Sequence, residues 1–75
     1  MVVAFILANT KTGKESDVIN SLKVMPEIKE AHSVYGDYDI YIRAETENLE
    51  HLNDFLLKKI RGVTGISCTT TMIGL

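Results

Sequence analysis

The run Val2-Val3-Ala4-Phe5-Ile6-Leu7-Ala8 is apolar at every position. A short continuous apolar run predicts a strand buried on both faces, not the alternating strand of a half-solvated sheet. The polar, turn-rich stretch Asn9 to Gly13 ends it. From about Lys14 to Met25 the spacing becomes helical, with Val18, Ile19 and Leu22 on one stripe. Glu15 and Asp17 in the first turn and Lys23 near the end follow the helix dipole, and Pro26 closes the segment. Ile28 to Tyr35 predicts a second strand. Gly36-Asp37 predicts a tight hairpin turn into a third strand, Tyr38 to Glu45. Alternation along it puts Ile40, Ile42 and Ala44 on one face and Asp39, Tyr41 and Arg43 on the other. Leu49, Leu52, Phe55, Leu56 and Ile60 mark a second helix from about Glu47 to Arg61, with Thr46 as its N-cap. Gly62 to Gly65 reads as a loop and Ile66 to Gly74 as the last strand.

The order βαββαβ over residues 1–75, taken as one domain, predicts an α+β ferredoxin-like sandwich. Four antiparallel strands ordered 4-1-3-2 would carry both helices on one face. This leaves a mismatch. The first strand is apolar on both sides, yet the helices cover only one side of the sheet. The second side needs a cover, and a second copy packed sheet to sheet supplies it, so the domain is expected to dimerise through its sheet.

Size points the same way. A chain of 75 residues buries only ~60–65% of its unfolded surface, which leaves it marginal alone. Cys68 is the single cysteine, so no disulfide forms within the chain, and its expected role is that of a small buried apolar residue. His32 and His51 stand apart, without metal-ligand spacing, so no metal or other cofactor is expected. The net charge is −2 and no basic cluster exceeds Lys58-Lys59, a poor surface for direct nucleic-acid binding. Val2 to Ala8 is too short to span a bilayer and lacks the pattern of a signal peptide, so a cytoplasmic protein is expected.

Candidate chemistry lies in two segments. Tyr35-Gly36-Asp37-Tyr38-Asp39 sets a glycine and two carboxylates between strands, and Thr64-Gly65-Ile66-Ser67-Cys68-Thr69-Thr70-Thr71 leads into a strand rich in hydroxyls. Brought together across a sheet or a subunit boundary, they offer carboxylate, hydroxyl and free backbone groups, a set that suits a free amino acid. Each residue also has a plainer role. Gly36 supplies the positive φ of a hairpin corner, and it also leaves backbone N–H groups open to a ligand carboxylate. Asp39 can cap the turn or accept a ligand ammonium, and spacing alone does not choose between them. Asp37 reads as a solvated turn residue, Tyr38 as the wall of a pocket or interface. Thr69 and Thr71 share one face of the last strand; threonine is an ordinary strand former, and its hydroxyls can also bond a ligand. Arg43, on the face of Asp39 and Tyr41, reads as a partner in an interfacial ion pair.

These segments resemble the ligand-binding module of the Lrp/AsnC family, often called RAM. Gly36-Asp37-Tyr38-Asp39 resembles its G-x-Y-D hairpin, and Gly65 to Ile73 its G-V-x-x-T-x-T-x-x-V strand. Val2 to Leu7, Gly13-Lys14-Glu15 and Met25-Pro26-Glu27-Ile28 fit as well, so the resemblance covers essentially the whole chain. It implies a βαββαβ domain whose dimers assemble into rings, commonly octamers, with amino-acid effectors bound between dimers. It favours Gly36, Tyr38 and Asp39 from one chain and Thr69 and Thr71 from another as the ligand-binding residues. Thr64 departs from the proline that often precedes Gly65 in the family. The chain starts directly on its first strand, with no helix-turn-helix, and is expected to act as a stand-alone sensing domain or to co-assemble with a full-length relative. The competing readings are a ligand-independent assembly partner and an enzyme on a dimeric ferredoxin-like barrel. The second lacks a convincing acid–base pair, so no catalysis is expected. An RNA-binding sheet lacks the aromatic strand it needs.

Overall fold

In the computed structural model, which describes residues 1–74, the chain forms a four-stranded antiparallel sheet carrying two helices. Leu75, the last residue of the expected domain, lies outside the described residues. The elements are β1 (Val2–Thr10), α1 (Glu15–Lys23), β2 (Ile28–Ser33), β3 (Ile40–Thr46), α2 (Leu49–Phe55) running on into a π-helical turn (Leu56–Ile60), and β4 (Ile66–Gly74). The strand order β2-β3-β1-β4 is the ferredoxin-like order expected from the sequence, read from the other edge. β1 and β3 are central; β2 and β4 are the edges.

Register decides which residues meet. Ala4, Ile6 and Ala8 of β1 lie opposite Ala44, Ile42 and Ile40 of β3, and all six are fully buried. Val18 and Leu22 of α1 and Leu52 and Phe55 of α2 pack on this face, joined by Ile60 and Val63. Each of the larger aliphatic side chains in this cluster contributes about 1.5–3 kcal/mol by leaving water. Both helices therefore lie on one side of the sheet. Alternation sends Val3, Phe5 and Leu7 to the other side, where they stay half-buried beside Tyr41 and Met72, the last of these 50% exposed. Phe5 stacks on Tyr41 at 6.5 Å and His32 on Tyr41 at 6.4 Å between ring centres. Arg43 on this open face bonds Glu30 at 2.8 Å and also pairs with Glu45. The guanidinium holds the Glu30 carboxyl below its ordinary range, and Glu30 in turn raises Arg43. The expected ion pair of Arg43 thus forms within the chain.

Several boundaries differ from the sequence reading. α1 ends at Lys23, two residues before the expected Met25, because the residue ahead of a proline is excluded from helical backbone angles. Thr46 does not cap the second helix. It stays in the β1–β3 ladder opposite Val2, and its hydroxyl donates to the Asn48 carbonyl at 3.0 Å. Asn48 is extended and takes the capping role, its Oδ1 accepting from His51 N–H at 2.9 Å. Leu49, expected on the apolar stripe, is 54% exposed. Cys68, expected to be buried, is exposed on the edge strand β4, its sulfur accepting from Asn9 Nδ2 at 3.3 Å.

Candidate functional site

Between β2 and β3 the chain makes a wider loop than the tight turn expected at Gly36-Asp37. The strands stop at Ser33 and resume at Ile40, and Val34 N–H donates to the Asp39 carbonyl at 3.0 Å, closing a four-residue loop over Tyr35–Tyr38. Asp39 is tied to β1 as well. Its N–H donates to the Ala8 carbonyl at 3.0 Å. Its Oδ2 accepts from Thr10 N–H at 2.9 Å and from the Thr10 hydroxyl at 3.4 Å. Asp39 therefore ties off the end of β1 and does not cap its own turn. Its second oxygen, Oδ1, has no hydrogen-bond partner among the described residues. Gly36 has φ +118°, and a Cβ there would meet nothing within 4 Å. The loop thus places an exposed stretch of backbone next to half of a free carboxylate.

Tyr38 reaches across β1 to the far edge of the sheet. Its hydroxyl lies 2.9 Å from the Thr70 hydroxyl. Thr70 is opposite Leu7, so this contact belongs to the open face. Thr69 and Thr71 are opposite Ala8 and Ile6, so they face the helix side. One chain therefore joins Tyr38 to Thr70 and keeps Gly36 and Asp39 apart from Thr69 and Thr71, with β1 standing between β3 and β4.

What Thr69 and Thr71 do face is a groove of about 340 Å³ between β4 and the second helix, lined also by Asn53, Leu57 and Arg61. No motif in the sequence marks those three. Their position depends on the π-helical turn, in which Arg61 N–H donates to the Leu56 carbonyl five residues back at 3.2 Å. The extra residue per turn moves Leu57 and Arg61 relative to a regular helix, and such turns recur at functional sites. A larger cavity of about 460 Å³ opens at the far end of the molecule, around Met1, Pro26, Thr46 and Phe55. Its charged groups are largely matched: Lys59 bonds Glu27 at 2.8 Å and holds that carboxyl below its ordinary range. Glu45 on its wall pairs with Arg43. It contains none of the candidate residues, and the groove at β4 is the better site.

The fold is matched by known proteins. The family model for the Lrp/AsnC ligand binding domain matches residues 3–75. The chain belongs to the Lrp/AsnC family. The HTH-type transcriptional regulator FL11 of Pyrococcus horikoshii is 43% identical over 72 residues, 96% of this chain and 47% of that protein. This Lrp/AsnC domain thus spans about half the length of the curated relatives it matches. The crystal structure of FFRP-DM1 is 48% identical with a TM-score of 0.97, and the match covers 100% of both chains. At 18% identity the fold alone recurs in a Neisseria meningitidis transcriptional regulator solved with L-Met (TM-score 0.87, 99% of this chain and 49% of that one). Among the described residues no helix is long and apolar enough to cross a membrane.

Proposed function

We propose that this Lrp/AsnC domain binds a free amino acid between subunits and couples that binding to assembly, and so to transcription, in the cytoplasm. The observation that carries this reading is the split site. A single chain holds a loop with open backbone and a free carboxylate oxygen on Asp39, and separately a hydroxyl-lined groove at Thr69 and Thr71. Each half supplies what the other lacks. Across a subunit boundary, Asp39 Oδ1 accepts the ligand ammonium, the backbone around Gly36 and Tyr38 donates to its carboxylate, and Thr69 and Thr71 of a neighbour take the rest. The regulator from N. meningitidis shows that this fold can accompany an amino acid, L-Met in that case.

In the same proposal, two copies pair through the open sheet face, covering Val3, Phe5, Leu7 and Met72, and dimers close into a ring, an octamer by family resemblance. Because the domain spans about half of its HTH-type relatives, a full-length regulator of the family is a further candidate for co-assembly, and a ligand-independent assembly partner is the second reading.

A thermal-shift panel of amino acids, with light scattering on each hit, tests the sensor. A ligand that binds only the folded form raises stability by ~2.7 kcal/mol at a hundredfold excess over Kd. The informative variant is Asp39→Asn. It keeps an acceptor for Thr10 N–H and removes the charge that the ammonium needs. The expected outcome is a nearly unchanged melting temperature without ligand and an affinity lower by roughly tenfold or more, since a hydrogen bond to a charged group contributes ~1.5–3 kcal/mol. Asp39→Ala would in addition leave Thr10 N–H unpaired. Unchanged ligand response in Asp39→Asn would remove Asp39 from the site.

A further inference from the structure

We infer, resting on the amino-acid reading above, that the side chain of the effector ends in a carboxylate and that Arg61 receives it. The groove beside Thr69 and Thr71 is lined by four polar residues, Arg61, Asn53 and the two threonines, and on its apolar side by Leu56, Leu57 and Ile60. Among the described residues no aspartate or glutamate lines it. The carboxylate nearest along the helix, Asp54, lines the other cavity. The Arg61 side chain is exposed and makes no ion pair or hydrogen bond among the described residues, whereas Arg43 and Lys59 each hold a carboxylate.

These facts rank the classes of side chain. A lysine or arginine side chain would enter a groove that already holds a cation and offers no counter-charge. An aliphatic side chain would cover a guanidinium, an amide and two hydroxyls without bonding them, and buried polar groups left unbonded cost free energy. A carboxylate meets the planar fork of Arg61 with two parallel hydrogen bonds, and Asn53 and the threonine hydroxyls can donate to its remaining lone pairs. With the α-ammonium at Asp39 and the α-carboxylate at the loop backbone of one subunit, the side-chain carboxylate falls to the groove of the other. The effector is thus an acidic α-amino acid, and Arg61 is the residue that sets its class.

The test is titration calorimetry of the assembled protein with L-glutamate, L-aspartate, L-leucine and L-lysine, for the native chain and for Arg61→Gln and Arg61→Glu. Glutamate or aspartate should bind most tightly to the native chain. Arg61→Gln should weaken that binding at least roughly tenfold, and Arg61→Glu should bring lysine above glutamate. Because the Arg61 side chain bonds nothing among the described residues, both variants should keep the native melting temperature without ligand. Tighter binding of leucine or lysine by the native chain, or an unchanged ranking in both variants, overturns the acidic assignment and leaves the sensor reading intact. Failure of every amino acid to bind overturns both.

Discussion

Leu7→Asp is expected to break the protein into monomers and to weaken association by roughly hundredfold or more, because an uncompensated buried charge costs ~3–5 kcal/mol. Leu7 sits in the central strand on the open face, between Tyr41 and Thr70. It is half-buried even in a single chain, flanked by the apolar surface of Val3, Phe5 and Met72. Both helices pack on the other face, so among the described residues nothing covers this one. In the proposed dimer, pairing with a second copy removes it from water. An aspartate there would be stranded in the proposed apolar interface, since the arginine on this face, Arg43, is already engaged by Glu30 and Glu45. Sedimentation at micromolar concentration reads the result. A native mass for Leu7→Asp would mean that the subunits meet through another surface. Exchange of an exposed helix residue such as Lys23 to Ala serves as the control and should leave the mass unchanged.

Gly65→Ala is expected to lower stability by about 2–4 kcal/mol, from backbone strain and a steric clash together. Gly65 has φ +104°, and a Cβ built on it would lie 2.9 Å from Cγ2 of Val18 and 3.1 Å from Cβ of Lys14. Val18 is fully buried, so it has no free space to move into. The glycine carbonyl also accepts from Lys11 N–H at 2.8 Å, tying the loop before β4 to the end of β1. Pushing this loop away would disturb the start of β4 and with it the groove below Thr69. For a domain of this size each kcal/mol lowers the melting temperature by about 4–8 °C. Gly36→Ala is the comparison. Its backbone angle is also positive, but the space around it is open, so only the strain remains. Equal losses for the two variants in thermal denaturation would mean that packing against α1 is not what holds Gly65.

The sequence revealed the fold because each element was marked by its own pattern. The unbroken apolar run of β1 and the strict alternation of Ile40, Ile42 and Ala44 survive in the structure as the two central strands and their register. What it hid depends on contacts between distant segments. Thr46 and Asn48 can both cap a helix, and only the pairing of Thr46 with Val2 decides that Asn48 does. Leu52, Phe55, Leu56 and Ile60 keep a helical spacing that does not betray the π turn. Arg61 and Asn53 become neighbours of Thr69 and Thr71 only when β4 lies down beside the second helix. Asp39 could be read as a cap or as a ligand from its spacing, and the structure gives one of its oxygens to Thr10, leaving the other open.

A site shared between subunits is tested most directly by complementation. Asp39→Asn disables one half and Thr69→Val with Thr71→Val the other. Each variant alone should bind the effector at least roughly tenfold more weakly than the native chain in calorimetry, so that no site of native affinity remains. When the two are co-expressed and mix at random in one assembly, about a quarter of the sites should combine an intact loop from one chain with an intact groove from another, and binding of native affinity should return at that stoichiometry. Mixed assemblies without a site of native affinity would place both halves within one subunit or remove one of them from the site, and would contradict the central claim.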